Sequence, residues 1–151
     1  MILKYDFASG QNKMAPLNDR LSDVLTQLDT TFADQGLDAI VLTSKDPFIS
    51  EYVPLENNPR YGATGFTGSV GDAIFWTKNS KAVGVQKPVS VFVDGRYHLQ
   101  ADRECPQQLV EVVKLDVEPS IEGLLRDRLA QSKSLRIGID FERTAIASLE
   151  K

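Results

Sequence analysis

Residues 65–71, Gly65-Phe66-Thr67-Gly68-Ser69-Val70-Gly71, and residues 93–101, Val93-Asp94-Gly95-Arg96-Tyr97-His98-Leu99-Gln100-Ala101, decide how this chain reads. The first is a glycine-dense turn feeding the apolar run Ala73-Ile74-Phe75-Trp76. The second is a tight turn that delivers an arginine to the first turn of a helix running to about Glu104. A strand, a turn and a helix in that order are the grammar of an α/β domain.

Working outward, Leu21, Val24, Leu25, Leu28 and Phe32 recur at helical spacing, with Asn18 as N-cap and Gly36 as the stop. Residues 37–43 form a short apolar strand, and Asp46-Pro47 opens a short helix ending near Tyr52-Val53-Pro54. Residues 54–62, with two prolines, two asparagines and a glycine, read as a loop. Further strands are expected at 73–76, 82–86, 89–93, 109–115 and 135–141. Ser120 caps a helix through Ile121, Leu124, Leu125 and Leu129, and a last helix begins at Thr144. Helices between strands, with a hairpin inside 73–93, predict an α/β fold: a mixed sheet flanked by helices.

Composition narrows the function classes. The 151 residues fit one domain, and 42% hydrophobic with 25% charged residues is ordinary for a globular chain. A net charge of −4 with no basic run argues against nucleic acid, whose binding needs phosphate neutralisation by Lys and Arg. No apolar segment is long enough to span a membrane, and residues 1–10 lack the apolar core of a signal peptide. The expected location is the cytoplasm, and the single Cys105 excludes an internal disulfide framework.

The chemistry is sparse. Gly65, Gly68 and Gly71 follow neither the dinucleotide fingerprint nor the phosphate-binding loop, and their expected use is positive φ and close backbone packing. Ser69 and Thr67 have no histidine nearby in sequence; His98, the only one, lacks companion ligands. Asp94, Asp102 and Asp140 serve either as a carboxylate metal cluster or as solvated caps and turns. Asp94 is placed to cap a helix starting at Arg96. Arg96 either meets a carboxylate or peptide carbonyl beside that helix start, or pairs with Asp94.

Ser50-Glu51-Tyr52-Val53-Pro54, then Arg60, then the glycine turn, then Asp94 to Ala101 resemble, in that order, the N-terminal domain of Xaa-Pro aminopeptidases, with the Ser-Glu-Tyr string resembling the long, three-domain form in which this would be the first domain. More broadly, the series resembles the creatinase/prolidase N-terminal domain over residues 17–150. Two departures are Phe92-Val93, where the family carries tryptophan and threonine, and His98, where it carries phenylalanine. Residues 78–90 are longer than the family's connection and are expected to add a hairpin.

The resemblance implies an RNase H-like version of the α/β fold, with residues 1–16 an N-terminal extension and 17–151 the domain. It implies no catalytic residue, metal ligand or cofactor in this chain. Two divalent metal ions, usually Mn2+, would be held by aspartates, glutamates and histidine in an absent C-terminal catalytic domain. That enzyme would remove the residue preceding proline at peptide N-termini, with this fragment inactive alone. Arg96 is the substrate-binding residue carried over. The implied partners are the chain's own catalytic domain, a second copy in a homodimer and a peptide substrate. Two other readings are a free-standing binding or regulatory module and an RNase H-like nuclease.

Overall fold

A computed structural model describes residues 16–116, 130–132 and 134–144. The helix expected from Ser120, the extension up to residue 15 and the helix body after Thr144 lie outside those residues.

The stripe at Leu21, Val24, Leu25, Leu28 and Phe32 does form one buried face, on helix α1 (Leu17–Ala33). Its cap differs from expectation: Pro16 is the N-cap and contributes no side-chain bond, while Asn18 lies exposed inside the helix. Pro16 has the non-helical ψ of 149° that an N-cap takes, without a side-chain acceptor. Gly36, at φ +63°, closes the turn after the helix.

Among the described residues, five strands build one sheet: β1 (Ala39–Leu42), β2 (Asp72–Trp76), β3 (Val89–Asp94), β4 (Val110–Leu115) and β5 (Ile137–Gly138). Their spatial order is β4-β3-β2-β1-β5. β2 pairs antiparallel with both β1 and β3, whereas β3–β4 and β1–β5 are parallel. The predicted α/β class with a mixed sheet is therefore what the chain adopts. All strands except β2 point the same way, so β1, β3, β4 and β5 finish at the end where β2 begins.

Alternation sorts side chains to the two faces. Ile40, Leu42, Ala73, Phe75, Val89, Val91 and Val93 meet α1 and, from helix α3 (His98–Glu104), Ala101. Ala39, Ile74, Trp76 and Phe92 form a second cluster on the opposite face. Phe75 and Trp76, adjacent in sequence, thus pack on opposite sides of the sheet, as expected of a buried strand.

Four local expectations are corrected. No strand forms at 82–86, so the extra hairpin is absent: the amides of Lys81, Ala82 and Val83 bond to side-chain oxygens of Asp38, Ser80 and Ser132 instead of a ladder. Asp46-Pro47 opens no helix, because the Asp46 carboxylate takes the amides of Phe48 and Ser50 at 3.0 and 2.9 Å and closes a turn. Residues 54–62 are not a plain loop but a 3-10 turn (Leu55–Asn57) followed by helix α2 (Pro59–Thr64). The strand at 135–141 shrinks to Ile137–Gly138, since Asp140 caps the amide of Glu142 and starts a 3-10 turn (Phe141–Arg143).

Gly71 shows why the glycine turn needs its glycines: it sits at φ +121°, and a Cβ there would stand 2.6 Å from the Phe92 carbonyl oxygen. Gly71→Ala should lower stability by more than about 2 kcal/mol through strain and backbone displacement. Gly95→Ala, facing open space, should stay within about 0.5 kcal/mol. Urea unfolding followed by Trp76 fluorescence checks both; equal losses would contradict the close approach.

Candidate functional site

The two motifs read first in the sequence meet at the sheet end where β3 finishes and β2 begins. Their scaffold is α2, a six-residue helix with complete end signals. The Asn58 side chain accepts the Tyr61 amide at 3.0 Å, Pro59 occupies the first turn, and Gly65 ends the helix in the left-handed region at φ +73°.

Within α2, Arg60 is fully buried. Its guanidinium donates from Nη1 to the carbonyls of Val70 (3.1 Å) and Gly71 (3.2 Å), and from Nη2 to that of Gly68. Burial pushes its pKa down to about 10, opposed by nearby Asp72, so it stays charged at neutral pH. The glycine loop therefore turns its carbonyls inward on a cation. A phosphate-binding loop does the reverse, converging amides on an anion.

A stack of rings carries this anchorage to the surface. Arg60 lies over the Phe66 ring at 4.7 Å, and Phe66 meets Tyr97 edge to face at 5.8 Å and 83°. Tyr97 shares a 2.7 Å hydrogen bond with Ser69 and has the Arg96 guanidinium over its ring at 5.5 Å. A polar brace runs alongside: Glu104 accepts from the Thr67 amide (2.8 Å) and hydroxyl (2.9 Å), while Gln100 donates to both Thr67 and Glu104. Loop and turn thus form one unit.

Arg96 is open, with its side chain 69% exposed. It also takes the plainer role available to it: Asp94 accepts from its amide (3.0 Å), its Nε (3.1 Å) and its Nη2 (2.7 Å). That contact holds the Asp94 carboxyl below the usual range and raises the guanidinium. Nη1 keeps no partner among the described residues, so the fork retains one edge for an oxygen ligand. The expectation that Arg96 opens the helix is corrected. Arg96 sits in the turn closed by Tyr97 N–H to Asp94 C=O, and α3 starts at His98 without a side-chain cap.

The other candidates fall into structural roles. His98 Nε2 lies 3.3 Å from the Leu115 carbonyl and ties α3 to β4. Asp102 pairs with Lys114 at 2.5 Å and Asp140 with Arg143 at 3.1 Å, so Asp94, Asp102 and Asp140 each hold a separate cation. Among the described residues, no group of three or more His, Cys, Asp or Glu is placed to hold a metal ion.

What the residues define is a mixed α/β domain presenting a braced arginine at one sheet end. A model of the Creatinase/Prolidase N-terminal domain matches residues 25–151. The chain belongs to that family. It is 30% identical over 122 residues to Aminopeptidase P1 of Arabidopsis thaliana, covering 80% of this chain and 17% of that protein. It is 31% identical over 122 residues to Xaa-Pro aminopeptidase 1 of Dictyostelium discoideum, covering 80% and 18%. The chain thus spans less than a fifth of the length of these relatives. Its fold is similar to part of the Caenorhabditis elegans X-prolyl aminopeptidase, described as a cytosolic enzyme with a di-nuclear active site. That likeness has a TM-score of 0.68 and 17% identity, covering 90% of this chain and 22% of that one.

Cys105 is no nucleophile in this setting: it is buried, and burial pushes its thiol up to about 12. A thiol-specific disulfide reagent at pH 8 should leave it untouched in folded protein and modify it in urea. Rapid reaction of the folded chain would contradict the burial. Its raised pKa also has a stability sign: the unfolded thiol ionises from about pH 9 upward while the folded one stays neutral, so its contribution is lost as pH rises toward 12.

Proposed function

We propose that this chain is the N-terminal domain of a metal-dependent Xaa-Pro aminopeptidase, a hydrolase that removes the residue preceding proline at peptide N-termini. The observation that carries this reading is Arg96: exposed, held by Asp94 on one side and by the Tyr97 ring beneath, with one edge of its fork open. A peptide's carbonyl or carboxylate is the natural ligand of such an edge. Membership of the creatinase/prolidase family and the named relatives supply the reaction class.

In this reading residues 1–16 are an extension, 17–151 the domain, and the catalytic domain follows. Arg96 fixes the substrate's orientation, and the brace at Thr67, Ser69, Gln100 and Glu104 limits its movement. A pair of divalent metal ions, Mn2+ in this reading, would supply an activated water from the catalytic domain. In this reading the metals belong to the catalytic domain and the fragment alone is inactive; among the described residues no group of three or more His, Cys, Asp or Glu is placed to hold a metal ion. The protein works in the cytoplasm and pairs as a homodimer. No helix among the described residues is long and apolar enough to cross a membrane.

Arg96→Ala in the longer protein should reduce kcat/KM more than tenfold, above about 1.4 kcal/mol of transition-state stabilisation. An unchanged value removes Arg96 from the site. Titration calorimetry of Mn2+ into this chain should show no binding. Uptake here would favour the nuclease reading with its own metal pair.

A further inference from the structure

Asp94 alone does not aim Arg96. The pair is open to water, with side chains 36% and 69% exposed, and an exposed ion pair does little to hold a long side chain in one place. The second group that bounds the guanidinium is the ring of the next residue. The guanidinium carbon stands 5.5 Å from the Tyr97 ring centroid, within cation–π reach. Neighbours in an extended strand point to opposite faces. Here the turn, closed by the Tyr97 amide on the Asp94 carbonyl at 2.9 Å, brings the two side chains together.

The ring has far less freedom than the guanidinium. Its hydroxyl shares a 2.7 Å hydrogen bond with Ser69, and the ring meets Phe66 edge to face at 5.8 Å and 83°. Phe66 is itself buried, with the Arg60 guanidinium 4.7 Å from its centroid. It also packs so closely on Gly68 that a Cβ there would stand 2.3 Å from the Phe66 Cζ. Phe66 therefore cannot recede without displacing the loop backbone. Tyr97 is a half-buried ring fixed at its base by the turn, at its tip by Ser69 and on its flank by Phe66. Two groups thus act on Arg96 from different directions: Asp94 takes Nε and Nη2, and the ring lies under the guanidinium.

We propose that Tyr97 is the positioning residue for Arg96: its locked ring sets the direction in which Nη1 is offered to an oxygen of the substrate. This rests on the proposed function. The substrate contact belongs to Arg96, and Tyr97 acts only through it. Without the ring the guanidinium swings about the Asp94 carboxylate, and the orientation of the bound peptide is lost with it.

Hydrolysis of an Xaa-Pro peptide by the longer protein tests this in a double-mutant cycle with Arg96→Ala. Tyr97→Leu should lower kcat/KM about tenfold with Arg96 present and leave it unchanged in the Arg96→Ala background. Tyr97→Phe keeps the ring and loses only the Ser69 bond, so kcat/KM should stay within about threefold of native. An equal loss in both backgrounds overturns the proposal, since Tyr97 would then serve the fold and not Arg96. A Phe variant as poor as the Leu variant overturns it too. Phenylglyoxal labelling, read by mass spectrometry at Arg96 against the exposed Arg103, tests the ring's hold whether or not the peptide is cleaved. Tyr97→Leu should speed labelling of Arg96 about threefold or more and leave Arg103 unchanged. An unchanged rate at Arg96, or the same gain at both arginines, overturns the proposal. Faster labelling of Arg96 in a protein without Xaa-Pro activity, or with activity indifferent to Arg96→Ala, refutes the proposed function and leaves the ring's hold on Arg96 intact.

Discussion

A single buried cation organises the sheet end of this domain that carries Arg96. The Arg60 guanidinium is buried, and the carbonyls of Gly68, Val70 and Gly71 meet its charge through Nη1 and Nη2. This is a demanding arrangement, because an isolated buried charge costs several kcal/mol unless its donors are used. It explains the glycine spacing better than any ligand does. Three carbonyls can converge on one guanidinium only if the backbone turns sharply and packs tightly, as Gly71 does against Phe92. Lysine would not substitute, since a point ammonium lacks the planar fork that reaches several acceptors at once.

From that cation the order spreads outward through contact rather than through sequence proximity. Phe66 covers Arg60, Tyr97 abuts Phe66, and Arg96 rests over Tyr97. The exposed arginine is therefore seated on a column whose base is another arginine, far away in the chain. Asp94 then fixes its azimuth. Holding a long, flexible side chain in one place costs rotamer entropy; here part of that loss is met on folding.

How much of this was legible beforehand depends on which physics was local. The stripe on α1, the alternation in β2 and β3 and the β-branched run of β4 announce themselves because periodicity is set by the residues that bear it. The turn that carries Arg96 is legible because Asp94-Gly95 marks it, though α3 starts two residues later than the sequence predicts: the turn closes on itself before the helix begins. Asn58, Pro59 and Gly65 carried complete start and stop signals for α2. They read as a loop because six residues are too few to show a period. The apparent strand at 82–86 failed because alternation does not ensure a partner, and neighbouring side chains satisfied its amides first. Arg60's burial was invisible: no local pattern distinguishes an arginine that meets water from one that meets three distant carbonyls.

The order at this sheet end depends on Arg60 holding the glycine loop. The direct measurement is amide hydrogen exchange of residues 66–71 together with urea unfolding, comparing the native chain with Arg60→Met, which keeps most of the volume and removes the donors. Three carbonyls left without a partner should lower stability by about 3–5 kcal/mol, and exchange across 66–71 should accelerate far more than in β3. A variant with native stability and unchanged loop exchange would contradict the claim.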